Sequence, residues 1–282
     1  MNQNQAGTLY ICGTPIGNLE DMTFRAVRVL REATVIAAED TRHTRKLLTH
    51  FDIHTPLVSY HEHNKASIGP MLVERMLAGE TIAVVSDAGM PGISDPGADL
   101  AALSIAAGIT VVPIPGASAA LCALVASGLD TRTFSFIGFP PKTAKKRREL
   151  FLKLVEHEHT LIFYESPHHL KATLAELAQV LGQRQAVVGR ELTKKFEQFV
   201  RGDFASLQDH FARNDPRGEC TIIVAGQTDN VAGTVKEQNL PSPVEAVAEL
   251  ITGGMNKKDA IRKVASERGL SKRDVYNAVL DM

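Results

Sequence analysis

Between residues 8 and 126, short β-rich apolar runs alternate with longer stretches in which apolar side chains recur every three or four positions. Thr8–Cys12, Val35–Ala38, Leu57–Tyr60, Ile82–Val85 and Thr110–Val112 read as strands. Thr23–Glu32, Arg42–Phe51, Ile68–Ala78, Ala98–Ala107 and Ser118–Ala126 read as helices. Strand–helix alternation of this kind predicts an α/β fold with a mainly parallel sheet flanked by helices. Leu100 to Leu129 carries no charge and is long enough to raise the question of a membrane span. Gly108, Pro113, Pro115 and Gly116 divide it into helix, strand, turn and helix, the pattern of a buried core.

Turn residues at Ser127–Arg132 mark a boundary, placing a first α/β domain over residues 1–128 and a second over 129–228. The second carries strands near Phe134–Gly138, Leu161–Tyr164, Ala186–Arg190, Glu197–Val200 and Cys220–Ala225. Helices are expected near Lys145–Glu156, Leu170–Leu181 and Phe204–Arg213. Its adjacent strands allow some antiparallel pairs. Gln227 to Leu240 turns polar and ends in Pro241-Ser-Pro243, which reads as a linker to a small helical domain over 241–282.

Composition narrows the class. The 282 residues are 44% hydrophobic and 22% charged, enough for a packed core and unlike a disordered chain. With 31 Lys+Arg against 32 Asp+Glu, a nucleic-acid partner must be met by local patches and not by a global field. Cys12, Cys122 and Cys220 are too few and too far apart for a disulfide framework or a cysteine-built zinc site. The first residues lack the basic start and apolar run of a signal peptide, so a cytoplasmic protein with no membrane partner is expected.

In an open α/β sheet, ligands sit beyond the carboxyl ends of the strands. Five polar loops fall there: Gly13–Asn18, Glu39–Arg42, His61–Asn64, the segment opening at Ser86, and Pro113–Gly116. All five are expected to face one cleft. Ser86-Asp-Ala-Gly-Met-Pro-Gly-Ile-Ser-Asp-Pro-Gly97 combines three Gly with two Pro, making it rigid yet open to close backbone approach. Neither the dinucleotide-binding G-x-G-x-x-G nor the P-loop pattern follows the first strand. His61-Glu62-His63 and His168-His169 lack the spacing of a zinc helix, and the Asp-rich loop does not match an EF-hand, so no metal is expected.

Gly13-Thr-Pro-Ile-Gly-Asn-Leu19, Ala38-Glu-Asp-Thr-Arg42, the Ser86–Gly97 string, Val112-Pro-Ile-Pro-Gly116, Phe163-Tyr-Glu-Ser-Pro167 and Arg190-Glu-Leu-Thr-Lys194 together resemble the RsmI family. The resemblance runs from about Thr8 to the C-terminus, with departures at Met90, His169 and Lys65. It implies two α/β domains of the tetrapyrrole-methylase type, S-adenosylmethionine bound in the cleft between them, and a homodimer. The implied reaction methylates the ribose 2′-hydroxyl of a cytidine in the decoding region of 16S rRNA, in the small ribosomal subunit. By the same resemblance the cofactor touches Pro15, Asp87, Met90, Ile93, Ser94, Ser118, Ala119, Tyr164, Leu192 and Thr221.

A ribose hydroxyl is a poor nucleophile at neutral pH. Glu39, Asp40, His61 and Glu62 are candidates to take or orient its proton, with Asp40 and Glu62 ranked first. Lys194 and Arg42 are candidates to hold RNA phosphate or developing charge. Lys142-Thr-Ala-Lys145-Lys146-Arg147-Arg148 sets five cations in seven residues, either an RNA-facing patch or a solvated helix face. From Met255 to Arg273, seven cations (Lys257, Lys258, Arg262, Lys263, Arg268, Lys272, Arg273) meet two acids, a local net of +5. Ala265, Gly269 and Val275 fit a helix-turn-helix with Gly at the turn, and Ser271 could cap its last helix. On an RNA enzyme such a module would hold phosphates and shape without reading DNA. Two alternatives stand beside this reading: a methyltransferase of the same fold acting on a tetrapyrrole or other small molecule, and a non-catalytic RNA-binding assembly factor.

Overall fold

The computed structural model describes residues 6–227, 242–267 and 271–280; most of the expected linker, and Arg268 and Gly269 of the expected helix-turn-helix, lie outside them. The chain divides into two compact units, Met1–Gln227 and Thr228–Met282.

The first unit opens with a five-stranded sheet of β1 (Thr8–Cys12), β2 (Val35–Ala38), β3 (Leu57–Ser59), β4 (Ile82–Val85) and β5 (Thr110–Ile114). All pairs are parallel, in the order β3-β2-β4-β1-β5. β2 and β4 are buried along their whole length, which is why they read as unbroken apolar runs without alternation. α1 (Phe24–Glu32) and α2 (Thr41–His50) cover one face, packing Val29, Leu30 and Leu48 against Ile36, Ala83 and Val85. α3 (Lys65–Leu77) and α4 (Gly97–Ala106) cover the other, with Leu72, Met76 and Leu100 on Leu9, Ile82 and Val84. β5 runs through Pro113, two residues beyond the expected stop at Val112. A proline cannot donate to a ladder, but β5 is an edge strand and needs donors on one side only.

A second five-stranded sheet follows: β6 (Phe134–Gly138), β7 (Thr160–Glu165), β8 (Gln185–Arg190), β9 (Gln198–Asp203) and β10 (Cys220–Val224), ordered β6-β7-β10-β8-β9. β6 and β7 are parallel and the other pairs antiparallel. Alternation sorts its side chains: Leu161, Phe163, Ile222 and Val224 pack on α6 (Ala144–Leu152), α7 (Pro167–Leu181) and α8 (Phe204–Arg213). Ile162 and Ile223 point the other way, onto α5 (Ala119–Ser127) of the first half, where they meet Ala123 and Leu124. The Arg201 guanidinium of β9 donates to the carbonyls of Ala126 and Ser127, fastening the end of α5 to the second sheet.

The C-terminal unit holds α9 (Pro243–Thr252), α10 (Lys257–Glu267) and α11 (Lys272–Ala278) around Val247, Ile261, Val264, Val275 and Val279. A capping box between Ser242 and Glu245 starts α9. Among the described residues, no helix is long and apolar enough to cross a membrane.

Two glycines decide how closely the loops beyond the first sheet approach. A Cβ on Gly116 would stand 2.7 Å from the Cα of Gly13, and one on Gly13 would stand 2.7 Å from the Cα of Gly116. The obstacle is backbone on both sides, so no rotamer change relieves it. Gly116→Ala is therefore expected to lower stability by roughly 1–3 kcal/mol, the range for overpacking. The measurement is a urea unfolding curve, with a lower midpoint and an unchanged slope; an unshifted midpoint would show that the two loops separate freely.

Candidate active site

The loops after β1 and β4 are stitched together. Thr14 and Gly89 exchange two backbone hydrogen bonds, at 2.9 and 3.1 Å, forming an isolated antiparallel bridge. Within the Ser86–Gly97 segment, Asp95 Oδ1 accepts from the N–H groups of Gly92 and Gly97, both at 2.8 Å. Ser94 sits at φ 68°, a left-handed conformation that a non-glycine residue keeps only where its surroundings impose it. The Asn18 N–H donates to Thr193 Oγ1 at 3.0 Å, joining the β1 loop to the second half of the unit.

These loops and the second sheet enclose a cavity of about 580 Å³, within the usual range of small-molecule sites. Ile16 enters after β1, Glu39 after β2, the Ser86–Asp95 stretch after β4, and Ser118 and Ala119 after β5. Phe139, Tyr164 to Pro167 and Gly218 to Thr221 close it from the second half. Tyr164 and Thr221 are cross-strand partners, both on the face of their sheet turned toward α5. Tyr164 Oη accepts from the Ala120 N–H at 3.2 Å, its ring lies edge-on to Phe136 at 4.9 Å, and burial raises its pKa. Ser118 caps α5 through the N–H of Leu121, placing that helix N-terminus on the cavity wall.

Of the expected cofactor contacts, Asp87, Met90, Ile93, Ser94, Ser118, Ala119, Tyr164 and Thr221 line this cavity. Pro15 lines an adjoining cavity of about 540 Å³, which shares Ile16, Asp87, Ala88 and Glu219 with the first. Leu192 lines neither; it is buried among Ile16, Val187 and Ile223, in the apolar layer between α5 and the second sheet. Phe139, Glu165, Ser166, Gly218 and Glu219 are lining residues that the sequence reading missed. Glu165 and Ser166 belong to the Phe163–Pro167 motif and were within reach; Phe139 and Gly218 follow no pattern that spacing reveals.

The candidate bases part company. Glu39 faces the cavity, and its pKa is raised by burial first and then by the neighbouring charges of Asp87 and Asp95. Asp40, one residue on, turns away. It caps α2 by accepting from the Arg42 N–H at 2.8 Å, and its carboxylate is gripped by the Arg42 guanidinium at 3.2 and 2.9 Å. Those bonds hold its carboxyl down to about 2 and leave it engaged by Arg42 and the start of α2. Glu62 and His61 do not line the cavity, although His61 is near enough to Glu39 to act on its charge. Glu62 pairs with Lys65 at 2.9 Å, and Lys65 pairs in turn with Asp99.

The cations divide as well. Lys194 bridges Glu191 and Glu219, both at 2.9 Å; burial works against its charge, but the two carboxylates outweigh it and hold the ammonium above its ordinary value. It lines the adjoining cavity beside Glu219, with its ammonium already paired to two carboxylates. Arg147 is buried and paired with Glu176 at 2.5 Å, so it fastens α6 to α7 and cannot meet RNA. Lys142, Lys145, Lys146 and Arg148 around it are exposed, as is Arg42 with its Asp40 partner. Cys12, Cys122 and Cys220 are free thiols, and burial pushes Cys12 and Cys220 up to about 12. Among the described residues, no three His, Cys, Asp or Glu side chains stand together as a metal site.

Residues 8–208 match the family of tetrapyrrole (corrin/porphyrin) methylases. Ribosomal RNA small subunit methyltransferase I of Halalkalibacterium halodurans is 52% identical over 98% of this chain and 95% of its own length. The protein of the same name from Bacillus subtilis is 46% identical over the same shares, and that from Synechocystis is 46% identical over 98% of both chains. Among solved structures, a uroporphyrin-III C-methyltransferase of Thermus thermophilus is similar at TM-score 0.57 and 22% identity, covering 84% of this chain and all of its own. Another from that organism, complexed with S-adenyl homocysteine, is similar at TM-score 0.54 and 19% identity, covering 78% of this chain and 97% of its own. These two likenesses concern the fold. With a matching family model over most of its length and close relatives along nearly all of it, the chain belongs to the tetrapyrrole methylases and, among them, to the ribosomal RNA small subunit methyltransferase I family.

Proposed function

We propose that this protein transfers a methyl group from S-adenosylmethionine to the ribose 2′-hydroxyl of a cytidine in the decoding region of 16S rRNA, acting as a homodimer in the cytoplasm. The observation that carries this reading is the extent of the likeness. Relatives named as ribosomal RNA methyltransferases match 98% of the chain or more, whereas the solved tetrapyrrole methylases match 78–84% of it while spending nearly their whole length. The portion they leave unmatched argues against a small-molecule substrate.

The cavity suits the cofactor. Its walls are largely apolar, with Met90, Ile93, Ala119 and Tyr164, and carboxylates stand on its rim at Asp87 and Glu219. Ser166 Oγ is buried there without a hydrogen-bond partner, a polar atom waiting for a ligand group. Asp87 would receive the amino group of the methionine portion, with backbone groups of the Ser86–Ser94 stretch around it. When bound, S-adenosylmethionine would supply a sulfonium methyl to the hydroxyl oxygen, with the neutral thioether as leaving group. The protein's part is to hold the hydroxyl oxygen on the far side of that methyl, an alignment worth several kcal/mol. Glu39 accepts the proton the oxygen gives up. Its raised pKa makes it a better proton acceptor than an exposed carboxylate. On the outer face of α5, Leu121 and Val125 leave apolar surface exposed, as a partner copy would require.

Mass spectrometry of rRNA from a strain lacking the gene is expected to show one ribose methyl lost; an unchanged set of ribose methyls overturns the reading. Asp87→Ala should weaken cofactor binding at least tenfold by calorimetry, and unchanged affinity would remove Asp87 from that role. Glu39→Gln should cost about 10²–10⁴ in rate, the usual range for a general base. In the wild type the rate should rise with pH through a group titrating above the ordinary carboxylate value, since only the ionised form accepts a proton. That rise should vanish in Glu39→Gln, while Asp40→Asn, which alters a helix cap, should keep the rate within a few fold. Deleting Pro241–Met282 should spare cofactor binding and reduce methylation of the small subunit; full activity would remove the helical unit from RNA recognition.

A further inference from the structure

The C-terminal unit has a concavity of its own. A groove of about 650 Å³ along α10 and α11 is lined by the cations of Lys257, Lys258, Arg262, Lys272 and Arg273, and no carboxylate among the described residues lines it. Its apolar part comes from Ile261, which belongs to the core of the unit, and from Tyr276. Tyr276 follows Lys272 and Arg273 by four and three residues, so all three share one face of α11. Lys258 and Arg262 stand four apart on α10 in the same way. Lys257 donates to the Val279 carbonyl at 3.2 Å, and Arg262 pairs with Asp259 at 2.8 Å. Lys258, Lys272 and Arg273 form no ion pair among the described residues. Tyr276 is 51% exposed, although the unit already buries seven aliphatic side chains among the described residues and has no packing need for an exposed ring.

We propose that this groove binds an unpaired RNA nucleotide: Tyr276 stacks on the base, while Lys258, Lys272 and Arg273 hold the flanking phosphates. Cations without partners recognise a polyanion, and a half-exposed ring set among them adds a flat apolar surface that a phosphate cannot use but a base can. A duplex would satisfy the cations and leave the ring idle, since its bases are stacked on each other. A single-stranded loop offers both groups at once, and sequence-bearing contacts to structured RNA fall mainly on such loops. The inference deepens the proposed function, on which the choice of RNA rests, by assigning the helical unit a preference for unpaired nucleotides.

The full-length protein is titrated with a single-stranded RNA of roughly ten nucleotides carrying a 2-aminopurine, and separately with the same sequence in a blunt duplex. Tyr276→Ala should weaken the single strand about tenfold, equivalent to about 1.4 kcal/mol, and reduce the quenching of the fluorescent base. Tyr276→Phe should restore both, and duplex affinity should be the same in all three proteins. Lys272→Ala with Arg273→Ala should weaken both RNAs and flatten the salt dependence. Single-strand binding and quenching unaltered in Tyr276→Ala would overturn the proposal, as would an equal loss for duplex and single strand. Methylation of small subunits by the wild type is followed in parallel. Tyr276-dependent binding without methyl transfer would sink the enzymatic reading alone; methyl transfer with binding indifferent to Tyr276 would sink this site alone.

Discussion

The candidate site depends on how closely the ends of β1, β4 and β5 converge. Gly13 and Gly116 touch backbone to backbone, and Thr14 and Gly89 are bridged beside them. No side chain could hold the three loops at that spacing, because a single Cβ already collides. Once the loops are fixed, Asp87 and Ser86 have little freedom left, and the Asp95 carboxylate sets the rest of the segment by bonding two of its own N–H groups. An alignment-dependent reaction gains from such a frame, because the cost of ordering is met during folding and not at each turnover.

The same frame separates two neighbouring carboxylates into different chemistry. Glu39 and Asp40 leave β2 in succession and reach different surroundings. One enters a cavity where burial and Asp87 raise its pKa; the other reaches water, Arg42 and a helix N-terminus, which lower it to about 2. Environments that drive paired acids apart are a general mark of acid–base assignment. In this case loop position alone does not distinguish the two, and their surroundings do.

That separation shows where sequence is informative and where it stops. Strand and helix placement was legible because β2 and β4 are apolar throughout while the helices repeat every three to four residues. The glycine and proline content of Ser86–Gly97 marked the main wall of the cavity. Lateral strand order was not legible: nothing in His61–Asn64 reveals that β3 lies at the edge of the sheet or that His61 and Glu62 stay outside the cavity lining. Nor could a run of five cations disclose that Arg147 turns inward to Glu176 while Lys145, Lys146 and Arg148 stay in water. Leu192 stands in a recognisable motif yet supports the wall from behind, a distinction that only packing makes.

Charge distribution bears on how an RNA is met at all. A formal net of −1 for the chain, with +5 carried by residues 255–273, leaves −6 on all the rest. The rest of the chain is net negative, so attraction for a polyanion falls to local patches, on the C-terminal helices and on the exposed lysines and arginines of α1, α2 and α6. At physiological salt, charges more than about 8 Å apart are largely screened, so the unfavourable bulk matters little once a contact is made. It matters during approach, where it disfavours nonspecific sliding of the α/β unit on any nucleic acid. Such a chain gains discrimination from the patchiness of its basic surface: an RNA that offers phosphates and an accessible base within reach of the groove on the C-terminal unit gains contacts that a featureless polyanion does not.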